Sequence, residues 1–295
     1  MDPDYDLFMA IVTSGSLSAA GRRLNTSPAM VSKRLSRLEE RLGTRLLHRS
    51  TRKMALTAQG QRLHADLQTI MTALREAESR VQGAADEPSG PLRVSAPTSF
   101  GRMHLAPHIG AFLESYPAID FTLHLSDEFV DLFADGIDVA IRIAPEIPRG
   151  LTAHRLARSE RVLCASPHYI AARGEPKSIP DLAKHRLLAA TGQLPWRLTG
   201  PTGPTTWEGI SHVHTNSSEV ARELAIGGIG IALRSLWDVN RELEAGTLRR
   251  ILPDVTGSSD IAIYAVHPPM PTASLTLTAF IDFLAKLYGP VPPWE

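Results

Sequence analysis

Residues 16–43 read SLSAAGRRLNTSPAMVSKRLSRLEERLG, two helices joined by a tight turn. Ser27 followed by Pro28 marks a helix start. The serine oxygen accepts from free backbone donors, and proline at the first helical position lacks only a donor that would be unpaired anyway. Val31, Leu35, Leu38 and Leu42 then recur at spacings of four, three and four, which lays one apolar stripe along a helix. Gly43 supplies the left-handed conformation that ends it. At about 100° per residue, Ala29, Ser32, Lys33 and Ser36 fall opposite the stripe, with Arg34, Arg37 and Arg41 beside it. Such a face is small and polar where a helix must approach base edges, and its flank carries long cations that reach phosphates. The preceding helix, about residues 18–24, offers Ala19, Ala20 and Leu24 for close packing. This is the pattern of a helix-turn-helix that enters DNA. Its expected contacts are Ser27, Pro28, Ala29, Ser32, Lys33, Arg34, Ser36 and Arg37. The alternative for the arginines is a solvated helix face.

Upstream, Tyr5, Leu7, Phe8, Ile11 and Val12 predict an amphipathic helix ending near Gly15, the third wall of a small core. Downstream, two extended pieces near residues 46–49 and 53–56 flank a turn. They predict a wing that puts Arg49, Arg52 and Lys53 against phosphates or a narrow minor groove. Thr57 is placed to cap the next helix, which runs to about Val81. Its apolar positions Leu63, Leu67, Ile70, Leu74, Ala77 and Val81 keep heptad spacing, a seam suited to the same helix of a second copy. Pairing there would present two reading helices to two half-sites of a palindrome. GAADEPSG, residues 83–90, reads as a hinge.

The charge distribution agrees with a nucleic-acid module joined to a different body. The chain has 295 residues and a formal net charge of zero, yet residues 22–53 hold ten Lys or Arg against Glu39 and Glu40 alone. Residues 91–295 hold 18 basic and 21 acidic residues. No apolar run approaches the roughly 18 residues of a membrane span. The start, MDPDYDLF, carries acids where a signal peptide carries positive charge, and a single cysteine leaves no intrachain disulfide. A cytoplasmic protein is expected.

From Pro91, strand and helix patterns alternate: LRVSAP, a helix from about Phe100 to Ser115, FTLHLS, IDVAIRIA, ERVLCASP, then a capped helix at Asn216–Ser217 followed by a glycine turn and strand. DIAIYAVHP and a helix from Thr272 to Tyr288 close the chain. This implies an α/β domain. Ligands of such sheets sit beyond the carboxyl ends of the strands, often at helix starts that favour anions. Thr98, Ser99 and Phe100, Arg142, and Asn216 with Ser217 meet that description, although helix capping and a structural ion pair explain the same residue types. His212 and His214 lack an acidic neighbour and make a poor metal site. Cys164, in an apolar strand, reads as a buried inert thiol. GGIGIALR lies on the wrong side of its helix for a dinucleotide fingerprint. No metal, cofactor or catalytic constellation is expected.

The Phe8-centred helix, the run SLSAAGRRLNTSPAMVSKRLSRLEERLGTRLLHRSTRKMALTAQG and the strand GPLRVSAP together resemble the LysR-type transcriptional regulators over the full chain. The resemblance implies an α plus α/β architecture. Residues 1–58 would form a winged helix-turn-helix, residues 59–90 a linker helix and hinge. Residues 91–295 would form a two-lobed effector domain like a periplasmic binding protein, with crossings near Glu160 to Val162 and Ala265 to His267. Lobe I would then take about 91–161 and 267–295, and lobe II about 162–266. It further implies a homodimer or tetramer on double-stranded DNA, a small effector, here expected to be an anionic organic acid, and RNA polymerase as a candidate partner. Base-reading places fall at Pro28, Ala29, Ser32 and Lys33. Pro28 departs from the glutamine of many relatives, which favours shape or apolar readout there. A solute-binding protein is the alternative for the C-terminal half; an α/β enzyme with a DNA-like appendage is a remote third.

Overall fold

The computed structural model describes residues 2–49, 54–81, 87–128, 132, 135–269 and 274–295. The chain forms two units: residues 1–87 with 131–138 and 270–275, and residues 88–130 with 139–269 and 276–295.

In the first unit, three short helices start on side-chain caps. Asp2 accepts from the Asp4 amide to begin α1 (Pro3–Ser14), Ser16 from Ala19 to begin α2 (Leu17–Arg23), and Ser27 from Met30 to begin α3 (Pro28–Leu42). Gly43, at φ 66°, ends α3 as expected. The turn between α2 and α3 is tight because Gly21 lacks a side chain: a Cβ there would lie 2.8 Å from the Thr26 carbonyl oxygen. Leu7, Phe8, Ile11, Ala20, Val31, Leu35 and Leu38 close the core, whereas Leu42 stays 37% exposed at the helix end.

The wing strands, β1 (Leu47–Arg49) and β2 (Met54–Leu56), pair antiparallel with Leu47 opposite Leu56. Arg52 and Lys53 lie outside the described residues, as does the Arg49 side chain. The wing is tied to α3 by Glu39, whose buried Oε1 accepts from the amides of Leu46 (2.9 Å) and Leu47 (3.3 Å). Glu39 follows Leu35 by four residues and therefore shares the buried face. Helix α4 (Ala58–Val81) begins on Thr57, whose Oγ1 accepts from the Gly60 amide at 3.0 Å and donates to the Arg45 carbonyl at 2.6 Å. Gly60 is required: a Cβ would stand 2.0 Å from the Leu46 carbonyl oxygen.

The heptad seam is divided. Leu67, 3% exposed, joins the core of its own unit, and Leu63 packs against that core. Leu67 is therefore not available to face a second copy, and the expectation for it is corrected, whereas Leu63 keeps part of its surface open. The spacing that suits a partner helix equally suits α1. Ile70 and Leu74, 53% and 42% exposed, form the free length of the stripe, and the Val81 side chain lies outside the described residues.

The second unit contains two sheets. Strand β3 (Gly90–Ala96) leads through α5 (Thr98–Phe100), a π-helical turn (Gly101–Leu105) and α6 (Ala106–Ser115) to β4 (Ile119–Leu125). Pro107 has no amide for the Met103 carbonyl, and the π turn, with the Ala106 amide bonded to the Gly101 carbonyl, absorbs that break. Strands β5 (Val139–Ala144) and β6 (Thr152–Arg158) belong to the same sheet. The chain then crosses at residues 159–160 into β7 (Arg161–Ala165), α7 (Pro167–Arg173), β8 (Leu187–Leu188) and the hairpin β9 (Trp196–Gly200) and β10 (Gly203–Trp207). Helix α8 (Ser218–Ile226), β11 (Ile231–Ser235), α9 (Leu236–Glu244), β12 (Arg249–Arg250) and β13 (Thr256–Gly257) complete that lobe.

Strand β14 (Ala262–His267) returns to the first sheet, and α10 (Leu275–Tyr288) follows. The orders are β4-β3-β5-β14-β6 and β10-β9-β13-β7-β11-β8, with β12 on β7. The return crossing thus lies at residues 258–261, before the expected Ala265 to His267, because β14 pairs along its length with both β5 and β6. His212–His214, expected on a strand, carry none. Cys164 is fully buried, and burial pushes its thiol up to about 12, as an inert side chain requires. Among the described residues no helix is long and apolar enough to cross a membrane.

Two outcomes test this arrangement. Glu39→Ala leaves two amides without their acceptor and should cost about 1–3 kcal/mol in denaturant unfolding, whereas Glu39→Gln, which keeps an acceptor oxygen, should cost less. Leu67→Glu should unfold the N-terminal unit by burying a charge. Leu74→Glu should leave it folded and weaken only self-association, read by sedimentation.

Candidate functional site

Helix α3 divides its polar residues into two groups. Arg34 is drawn onto the start of α1, where its Nε donates to Asp4 Oδ1 at 2.8 Å and its Nη2 to the Pro3 carbonyl at 2.7 Å. Arg41 pairs with Asp2 and lies over the Tyr5 ring, 5.3 Å from its centroid. Acids at the start of α1 thus hold that flank, and Arg34, expected at a phosphate, is engaged there rather than on the open face. Lys33 and Arg37 remain exposed and make no ion pair among the described residues. Ser27, Pro28 and Ala29 are exposed at the helix start, and Ser32 and Ser36 are half-buried. The Ser27 oxygen is committed to the cap, accepting from Met30 at 3.2 Å. Met30, absent from the sequence-based contacts, is 48% exposed beside them. The resulting surface is small or apolar at its first turn and cationic beyond, on a helix whose other sides are fixed.

In the second unit, the segment after β3 meets α8 and α9 of the other lobe. Arg102 pairs with Glu219 across the lobes. His104 Nε2 donates to the Trp237 carbonyl at 2.7 Å, and burial lowers the pKa of its imidazole from the ordinary value. Trp237 Nε1 donates to Ser159 Oγ at 3.2 Å. Phe100 is fully buried, edge-on to Trp237 at 5.3 Å and against Tyr288 and Trp294. It is a seam residue, and its expected place against a ligand is corrected. The aromatic pattern carried no sequence signal, because Phe100, Trp237 and Trp294 are far apart in the chain.

The remaining expected ligand groups separate in the same way. The Thr98 amide donates to Asp127 Oδ1 at 2.8 Å, so the first donor of this helix start is already taken. Ser99 differs: it is 4% exposed, and its hydroxyl has no hydrogen-bond partner among the described residues. Ser217 caps α8, accepting from the Val220 amide at 3.4 Å, and Asn216 is exposed beside it. Arg142, on β5, is half-buried, and burial lowers its pKa. Behind α8, Ser218 Oγ accepts from Gln193 Nε2 at 2.9 Å and Arg234 Nη1 at 2.8 Å, and Arg234 pairs with the fully buried Asp238. That network links the start of α8 to α9. Arg102, two residues past Phe100, and Glu219, two past Ser217, give a contact between the segments that carry these two sets of residues.

Two family models match the chain. The bacterial regulatory helix-turn-helix protein model of the lysR family covers residues 4–61, and the LysR substrate binding domain model covers residues 85–288. The transcriptional activator TtdR of Escherichia coli K12 is 36% identical over 286 residues, covering 96% of this chain and 92% of that protein. The regulator DmlR of the same strain is 32% identical over 290 residues, covering 97% and 94%. The solved structure of CrgA, a LysR-type regulator from Neisseria meningitidis, superposes with a TM-score of 0.64 at 31% identity, covering 98% of this chain and 99% of that one. With its helix-turn-helix unit, its two-lobed body and no enzyme among these relatives, the chain belongs to the LysR family of transcriptional regulators.

Proposed function

We propose that this regulator binds a palindromic operator as a homodimer or tetramer and answers to a small organic acid held between the lobes of its C-terminal half. The observation that carries the effector reading is the Ser99 hydroxyl, buried and without a protein partner among the described residues. Leaving such a group unpaired costs about 1–3 kcal/mol, and a ligand carboxylate accepting from it removes the cost. Arg142 supplies a counter-charge. Asn216, close in sequence to Glu219 and thus to the cross-lobe pair with Arg102, supplies an exposed amide from the opposite lobe. Because Asp127 occupies the Thr98 amide, that backbone donor is not the one offered to the ligand, and the Ser99 side chain takes its place. A ligand touching both lobes binds one lobe arrangement better than another, which is what a switch requires.

On the DNA side, Lys33 is the base-reading group and Arg37 the phosphate group of α3. Ile70 and Leu74 extend the self-association surface along α4. This reading places the protein in the cytoplasm with its operator, and RNA polymerase enters it through family membership alone.

Calorimetry against small mono- and dicarboxylates tests the effector site. Ser99→Ala should lower affinity about tenfold, roughly one charge-assisted hydrogen bond, with little change in melting temperature. Arg142→Ala should weaken charged ligands more than their amides. Wild-type affinity in both variants would remove the anion site. For DNA, Lys33→Ala and Arg37→Ala should each reduce the slope of log affinity against log salt by roughly 0.9 where the lost contact is a phosphate. Arg34→Ala should leave that slope unchanged and lower the melting temperature of the N-terminal unit instead.

A further inference from the structure

Granting that α3 enters the major groove, we infer that Met30 reads the methyl group of one thymine in each half-site and is a specificity-determining residue of this regulator. The first turn of α3 offers little else. The side chains of Pro28, Ala29 and Met30 carry no hydrogen-bond donor, all three are exposed, and the Ser27 oxygen is already used by the Met30 amide. A bidentate pairing with a base edge therefore has no donor–acceptor set at this turn. Met30 is the large side chain present, 48% exposed although apolar. It shares a helical stripe with Lys33 and Arg37, at spacings of three and four, so it lies in line with the two exposed cations. That charge selects a polyanion as the surface that covers it. Within the major groove of unmodified DNA, the apolar group a base pair presents is the C5 methyl of thymine. A flexible, polarizable thioether adapts to such a contact without demanding one rotamer.

The experiment removes the contact from each side in turn. The full-length protein is first used to select its highest-affinity operator from random duplexes. Each thymine of one half-site is then replaced in turn by deoxyuridine, which lacks only the methyl. Wild type and Met30→Leu should show one position where the replacement lowers affinity about fourfold, the worth of one buried methyl group. Met30→Ala should bind both duplexes within twofold of each other at that position. An operator with no methyl-sensitive thymine, or undiminished sensitivity in Met30→Ala, overturns the assignment. Those results leave the operator reading standing, because it is judged separately by whether any sequence is selected and by the salt response of Lys33→Ala and Arg37→Ala.

Discussion

Helix α3 has to be held on all sides but one. Val31, Leu35 and Leu38 bury its inner face, Glu39 fastens it to the wing through the Leu46 and Leu47 amides, and Arg34 and Arg41 bind it to the start of α1. What stays bare is the strip from Pro28 through Lys33 to Arg37. The buried carboxylate is the least replaceable of these ties. It satisfies two backbone donors within one unit and fixes the angle at which wing and helix leave the core. A reading surface built on a helix is only as accurate as its supports, since small rotations move side-chain tips across a base pair.

The C-terminal half shows the same economy in a different material. The lobes meet along a seam of Phe100, His104, Trp237, Tyr288 and Trp294, closed by hydrogen bonds from His104 and Trp237. A further cross-lobe tie is an ion pair, Arg102 with Glu219, whose side chains are 55% and 31% exposed. An exposed pair of this kind contributes little to stability and yields to salt or a competing anion. One end of the junction is thus packed and the other exchangeable.

The reading module was largely legible in the sequence because its signals are local. Caps at Ser27 and Thr57, the stop at Gly43 and the stripe from Val31 all act within a few residues of themselves. Arg34 was not separable from Arg37, since both are long cations beside one stripe and only the position of Asp4 in space tells them apart. Leu67 is ambiguous in sequence for a related reason: a heptad states that a face is apolar and not which helix covers it. The return crossing is not marked in sequence because β14 is apolar along most of its length, and such a strand suits the middle of either sheet. At the lobe junction, alternation gave the strands and helix starts. It could not show that Asp127 already fills the Thr98 amide, or that Phe100 belongs to a seam assembled from distant segments.

The seam has a spectroscopic consequence. Of the four tryptophans, Trp196 and Trp207 face each other in the β9–β10 hairpin of one lobe. Trp237 and Trp294 sit at the junction, Trp237 hydrogen-bonded through its indole and both against His104. Indole emission responds to solvent access and to neighbouring imidazole, so a change in lobe angle alters the light from this second pair and spares the first. The regulator therefore carries an intrinsic optical gauge of its own switching, readable without a label once each pair is separated by substitution.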